Sequence, residues 1–168
     1  MNTNVDQFFA RLTAAGGVPM TGEPPREPAE LAAELQRFVR THPSERHDPL
    51  WLEFLAGRGG ATVDLGPHAV ILLGFDERIA PHLLNEDGPV IDDEGFLDFA
   101  VITLAWPERP ILARYLDLGF CFALAEQREP GVYLRRGGEP PRWFARSFAD
   151  WMTAVAAAAN ELETLAEP

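Results

Sequence analysis

The sequence contains no lysine, one cysteine and two serines. A single cysteine, Cys121, excludes an internal disulfide and a thiolate metal cluster. Ser147 is predicted to cap a helix and Ser44 lies in no nucleophile motif, so a serine hydrolase has little support. No apolar run approaches the roughly 18 residues that span a bilayer, and the first residues lack the basic start of a signal peptide. We therefore expect a cytosolic protein.

Basic residues are scarce relative to acidic ones. The 168 residues include 14 arginines against 26 Asp and Glu, which gives a formal net charge of −12. Charge of this sign repels the phosphates of nucleic acids and of anionic membranes, whereas it attracts a basic protein. We therefore expect a basic protein partner, no nucleic acid and no membrane.

Helix signals come first along the chain. An apolar stripe at helical spacing (Val5, Phe8, Phe9, Leu12) ends at Gly16-Gly17, and a Gly/Pro-rich linker follows. A second helix is predicted near Pro28 and a third at Asp48-Pro49, where a capping residue precedes a first-turn proline. Because Phe8 and Phe9 need cover, we expect residues 1–16 to dock on a partner or on another copy of the chain.

Strand signals follow from residue 61 onwards. Six short segments are rich in β-branched or aromatic residues: 61–65, 69–75, 96–104, 111–118, 119–125 and 132–135. A short helix interrupted by Pro81 is predicted over 77–84, and EQREPG at 126–131 is typical of a hairpin connection. A final helix begins at Ser147, with a buried face formed by Phe148, Trp151, Met152, Val155, Ala159 and Leu162.

This order of elements predicts one α+β domain. Its sheet is largely antiparallel, has about six strands, and is packed by N-terminal helices and a C-terminal helix. We assign residues 1–27 to the first helix and linker, and residues 28–168 to the α+β domain.

Carboxylates are the most abundant ionisable groups in the sequence. We call residues 86–98 the acidic segment, since it contains six carboxylates and no basic residue: Glu86, Asp87, Asp92, Asp93, Glu94 and Asp98. The segment is either a solvated loop or a docking surface for a basic partner; calcium binding and carboxylate catalysis are further alternatives. Of these, we select the six residues as the candidate partner-binding site, with no catalytic residue, metal or cofactor.

Histidines, the single cysteine and the arginines are weaker candidates for a functional site. His42, His47, His68 and His82 lack the spacing of a helical metal pair. Buried in an apolar strand, Cys121 is predicted to be a small core residue. The arginine cluster lies beside Trp143 and is predicted to pair with the chain's own acidic loop rather than with nucleic acid; it comprises Arg128, Arg135, Arg136, Arg142 and Arg146.

Four segments together resemble the SUKH superfamily, which includes fungal cell-wall-assembly regulators and bacterial immunity proteins. Residues 48–55 (DPLWLEFL), which lead to Gly59-Gly60, are similar to the family's early helix, with Asp-Pro in place of the usual Leu-Pro. Residues 95–100 (GFLDFA) resemble its central strand. Residues 131–134 (GVYL) and 145–152 (ARSFADWM) resemble its closing strand and helix. The resemblance covers roughly residues 28–157.

The resemblance implies a non-catalytic binding module. Bacterial members of the family typically neutralise a toxin, often a basic nuclease or deaminase, by covering its active site. The leading hypothesis is therefore immunity to a cognate bacterial toxin. The alternatives are a scaffold module for an endogenous partner and a small hydrolase with paired carboxylates. Two carboxylates in a pocket beside His68 or His82 would support the hydrolase.

Overall fold

The computed structural model describes residues 3–20, 33, 48–58, 60–73, 96–123 and 128–167. Within these residues, three α-helices and seven strands follow one another. They are α1 (Thr3–Ala14), β1 (Val18–Pro19), α2 (Pro49–Arg58), β2 (Ala61–Leu65), β3 (His68–Leu72), β4 (Phe96–Ala105), β5 (Tyr115–Ala123), β6 (Val132–Arg136), β7 (Arg142–Ala145) and α3 (Phe148–Ala157). Two 3₁₀ helices cover Ile111–Ala113 and Leu162–Ala166.

The seven strands form one sheet in which spatial order equals chain order. Each strand is antiparallel to its neighbours, from β1 at one edge to β7 at the other. The predicted single α+β domain with a largely antiparallel sheet and helices at both ends is confirmed. The predicted helices near Pro28 and over 77–84 lie outside the described residues.

The strand boundaries differ from prediction around Gly119. The segments predicted as two strands, 111–118 and 119–125, are one strand, β5, and Ile111–Ala113 forms a 3₁₀ helix instead. Gly119 lies in mid-strand, paired with Val101 of β4 and Arg135 of β6. Pairing on both sides overrides the low strand propensity of glycine. Strands β1 and β7 were not predicted.

A β-bulge in β4 shapes the buried side of the sheet. Asp98 pairs with Cys121 and the next pair is Ala100 with Phe120, so Phe99 is the extra residue. Both Phe99 and Ala100 are fully buried. The bulge therefore gives the helix-covered face one more large side chain than strict alternation would allow.

Aromatic rings fill the space between the sheet and α3. Phe99 stacks on Phe122 at 4.1 Å between centroids, and Trp151 meets Phe99 edge-on at 5.2 Å and Phe120 at 5.4 Å. Phe148 stacks on Trp151 at 5.9 Å. The predicted buried face of the final helix is confirmed, although α3 ends at Ala157 and Leu162 is buried from the following 3₁₀ helix.

Helix α1 belongs to the same core. Val5, Phe8 and Leu12 are buried within the main hydrophobic cluster, and Phe8 lies 5.8 Å from Trp151. The expectation that this helix needs cover from a partner or from another copy is therefore wrong for Phe8, which α3 covers. The predicted boundary between residues 27 and 28 lies outside the described residues.

The glycine stop of α1 is confirmed. The N–H of Gly16 bonds the carbonyl of Thr13 at 3.0 Å and that of Gly17 bonds the carbonyl of Leu12 at 2.8 Å, the two hydrogen bonds of a Schellman motif. Gly16 has φ +94°, and a Cβ on Gly17 would lie 2.6 Å from the Leu12 carbonyl oxygen. Both positions therefore require glycine.

Asp48 caps two helices at once. Its Oδ1 accepts from the backbone N–H of Leu50 at 3.0 Å and of Trp51 at 3.3 Å, at the start of α2. Its Oδ2 accepts from the N–H of Phe148 at 2.9 Å, at the start of α3. Ser147 completes the second cap, because its Oγ accepts from the N–H of Asp150 at 3.2 Å. Both predicted caps are confirmed, and the sharing of Asp48 is new.

Within the described part of the chain, none of the helices has the length and apolar character needed to cross a membrane.

Trp151 is expected to be indispensable for stability. Its side chain is fully buried among aromatic rings, so Trp151→Ala should lower the free energy of unfolding by about 3–5 kcal/mol. Trp143→Ala is the matched control, since Trp143 is 44% exposed and should cost under about 2 kcal/mol. Urea denaturation of both variants checks this. Equal losses in the two variants would place Trp151 outside the core.

Asp48 should contribute more to stability than an ordinary cap. Because it serves two helix N-termini, we expect Asp48→Ala to cost about 2–3 kcal/mol, against about 1 kcal/mol for Ser147→Ala. Thermal and urea unfolding of the two variants measure the difference. A loss at Asp48 no larger than that at Ser147 would mean that one of its two capping interactions contributes nothing.

Candidate functional site

The structure describes the last three residues of the acidic segment, 96–98, and of its six carboxylates only that of Asp98. Asp98 lies on β4, opposite Cys121 of β5. Five of the six predicted partner-binding residues lie outside the described residues: Glu86, Asp87, Asp92, Asp93 and Glu94. Only the surroundings of Asp98 can therefore be compared with the prediction.

Asp98 forms an ion pair across the sheet. Its Oδ1 lies 3.4 Å from Nη1 of Arg135 on β6, with the two side chains 40% and 26% exposed. The pair spans β5, and it lies on the face of the sheet that is opposite the helices. The predicted pairing of the arginine cluster with the acidic segment is therefore observed at this one pair.

Two arginines also cover an aromatic ring at the start of β4. The guanidinium carbons of Arg128 and Arg135 lie 4.4 Å and 4.7 Å from the ring centroid of Phe96. Tyr133 packs beside the same ring at 5.2 Å, and Phe96 is buried. Cation–π contacts and the aliphatic stems of the arginines thus shield an apolar residue on the face away from the helices. We call Phe96, Asp98, Arg128 and Arg135 the arginine clamp.

The rest of the arginine cluster fastens the chain's own C-terminal part. Arg136 donates from Nη1 to the carbonyl of Ala166 at 2.7 Å, and Arg142 donates from Nη2 to the carbonyl of Glu167 at 3.1 Å. Arg146 pairs with Asp150 at 2.8 Å. Arg135 and Arg136 point to opposite faces of β6, because successive side chains alternate along a strand. The cluster is thus a set of intramolecular contacts, whose backbone acceptors the sequence analysis missed.

His68 bridges three elements. Its Nδ1 accepts from the backbone N–H of Ala105 at 3.0 Å, and its Nε2 lies 3.8 Å from a carboxylate oxygen of Glu163. Trp106 meets the imidazole edge-on at 6.1 Å. Within the described ranges, this histidine has one neighbouring carboxylate rather than the two that would support the hydrolase. His42, His47 and His82 lie outside those ranges.

Cys121 is fully buried, with its Sγ 3.7 Å from the carbonyl oxygen of Tyr133. The prediction that it is a small core residue is confirmed. Among the residues that the structure describes, no three His, Cys, Asp or Glu side chains converge on a position for a metal ion.

A shallow groove of about 170 Å³ lies between α1 and α3. Phe8 and Met152 contribute apolar atoms to it, and Asn4, Gln7 and Arg11 contribute polar ones. The volume is below the roughly 300–1,000 Å³ that is typical of small-molecule sites, so the groove offers no substrate pocket.

Sequence reasoning missed a group of exposed apolar side chains at the end of the β4–β5 loop, residues 106–114. Ile111, Leu112 and Tyr115, which we call the apolar tip, are all strongly exposed. Their segment was predicted as strand. Pro107 and Pro110 were the available signal, since two prolines directly before an apolar run favour a turn over a paired strand.

Comparison of the chain with family models, with curated proteins and with solved structures finds no match.

Asp98 and Arg135 should be energetically coupled, though weakly. Both side chains are partly exposed, so a double-mutant cycle with Asp98→Asn and Arg135→Gln should give a coupling of about 0.5–1 kcal/mol. Urea denaturation of the wild type, both single variants and the double variant measures this. A coupling energy of zero would mean that Arg135 does not hold Asp98 in place. Asp98 would then be available to bind a partner together with the rest of the acidic segment.

Proposed function

We propose that this chain is a non-catalytic protein-binding module of the cytoplasm. In its most concrete form it is an immunity protein that neutralises a cognate bacterial toxin by binding it. The observation that carries the proposal is the acidic segment on a chain of net charge −12. Such a surface attracts a basic protein over long range, and it requires no cofactor or metal.

The packing of the four SUKH-like segments supports the same proposal. Of these segments, residues 49–55 lie in α2, residues 96–100 in β4, residues 132–134 in β6 and residues 148–152 at the start of α3. Their side chains also meet in the core: Phe148 lies 5.8 Å from Phe54 and 5.7 Å from Phe99. Motifs that are far apart in sequence thus act together, as expected of one family signature.

The departure from the family pattern at residue 48 also has a physical role. Asp48 stands where the family usually has leucine, and its carboxylate accepts hydrogen bonds from both α2 and α3. Asp48 thus joins the starts of α2 and α3, to which two of the four SUKH-like segments contribute.

The arginine clamp gives the acidic segment a fixed end. Strand β4 begins at Phe96, within the acidic segment; Arg128 and Arg135 cover the ring of Phe96, and Arg135 holds Asp98. In the proposal, the five carboxylates before the clamp face the partner, whereas Asp98 anchors the segment. Partner binding by Asp98 itself, as first predicted, becomes the less favoured part of the site.

Capture of the toxin should depend on the acidic segment and on salt. The proposal requires a toxin domain to be encoded beside the gene of this chain, and that domain is the probe. Replacing Asp87, Asp92 and Asp93 by Asn should slow association by at least about tenfold at low salt and flatten its salt dependence, because the long-range attraction is lost. Stopped-flow measurement of the association rate over a range of salt concentrations checks this. The free energy of unfolding should change by less than about 1 kcal/mol.

The matched control removes the same charge elsewhere. Glu139, Glu161 and Glu167 are exposed and are changed together to Gln; Glu163 is avoided because it lies beside His68. Equal slowing by both triple variants would show a net-charge effect without a docking surface. A wild type that shows no binding to the neighbouring toxin domain would contradict immunity and favour the scaffold alternative.

A further inference from the structure

The apolar tip carries the most exposed large apolar side chains in the described part of the chain. Leu112 is fully exposed, and Ile111 and Tyr115 are 75% and 65% exposed. The three side chains lie within five consecutive residues, so exposed apolar surface is concentrated in one short segment of the chain. Patches of this kind mark contact sites in soluble proteins.

The loop that presents the tip is internally braced. The N–H of Trp106 bonds the carbonyl of Arg114 at 2.8 Å, and that of Arg109 bonds the carbonyl of Trp106 at 3.0 Å. The guanidinium of Arg109 stacks on the Trp106 ring at 4.1 Å. Pro107 and Pro110 restrict the backbone further. The exposed side chains therefore belong to a preorganised structure, which lowers the entropic cost of binding.

The charges around the tip balance. Glu108, Arg109, Arg114 and Asp117 sum to zero, on a chain whose total is −12. Within the described residues, neither the guanidinium of Arg109 nor that of Arg114 lies in an ion pair. A patch of zero net charge exerts no long-range attraction on a basic toxin. Both signs around an apolar centre are instead self-complementary when a two-fold axis brings the patch against itself.

We infer that the apolar tip is the contact between two copies of this chain in a two-fold symmetric dimer. The symmetry buries Ile111, Leu112 and Tyr115 of both copies in one contact. A stable interface takes roughly 20–30 residues from each partner. The apolar tip and its neighbours are fewer than that. The dimer is therefore weak and depends on protein concentration.

The remaining charge of the chain sets the salt dependence of this dimer. Two copies of net charge −12 repel each other, and salt screens that repulsion. Dimerisation should therefore strengthen as salt rises. Capture of a basic toxin should weaken with salt, so the dimer and the proposed function can fail independently of each other.

Sedimentation equilibrium of the full chain tests the inference. From about 1 μM to about 1 mM protein, we expect a monomer–dimer equilibrium that tightens between about 0.01 M and about 0.15 M salt. The variant Ile111→Ser/Leu112→Ser should raise Kd at least about 100-fold, since it removes four apolar side chains per dimer. Both residues are exposed in the monomer, so the variant should keep the melting temperature of the wild type.

Val18→Ser/Met20→Ser is the matched control. It removes two other exposed apolar side chains, 61% and 55% exposed, and should leave Kd unchanged. A wild type that stays monomeric throughout overturns the inference, as does an unchanged Kd in the tip variant or an equal rise of Kd in the control.

Flotation with phosphatidylcholine vesicles tests whether the tip binds a membrane instead. Binding by the wild type and not by the tip variant would assign the tip to a membrane and overturn the dimer.

Discussion

The carboxylate of Asp48 is the constraint on which the arrangement of the helices depends. It accepts from the N-termini of α2 and α3, whose first residues are about a hundred positions apart in the chain. Two positive helix-dipole ends therefore share one negative charge. If α2 moves away, α3 loses its hydrogen bond to Asp48 and keeps only the cap of Ser147. With the two starting points fixed, Phe54 and Phe148 meet at 5.8 Å and the aromatic rings of α3 are aligned with the bulge at Phe99. The contact of α1 with Trp151 follows from the same alignment.

Features encoded in a few consecutive residues could be predicted from the sequence. The caps at Asp48 and Ser147 and the stop at Gly16-Gly17 were correct, because each depends on backbone groups within five residues. The buried face of α3 was correct for the same reason. The continuity of β5 through Gly119 and the bulge at Phe99 were missed, since both depend on neighbouring strands. A hydrogen bond between Asp48 and Phe148 likewise cannot be found from local signals.

The candidate site shows the same division between local and non-local causes. The arginine cluster was predicted to pair with the acidic segment, yet its members have separate partners on both faces of the sheet. Arg135 contacts Asp98 and Phe96, whereas Arg136 and Arg142 hold carbonyl groups at the C-terminal end. Backbone carbonyls are the same in every residue, so no sequence pattern marks them as acceptors. The exposed tip was missed because an apolar Ile-Leu pair beside Tyr115 has the composition of a strand.

Strand β4 separates the two surfaces on which the proposals depend. The arginine clamp lies at its first residues, and the β4–β5 loop follows its last residue, Ala105. Ten strand residues at about 3.3 Å each place these ends roughly 30 Å apart. This distance exceeds the screening length of about 8 Å at physiological salt, so charge at the clamp has little effect on the potential at the tip. A chain of high negative charge can therefore carry one surface whose contacts strengthen with salt and another whose contacts weaken with it.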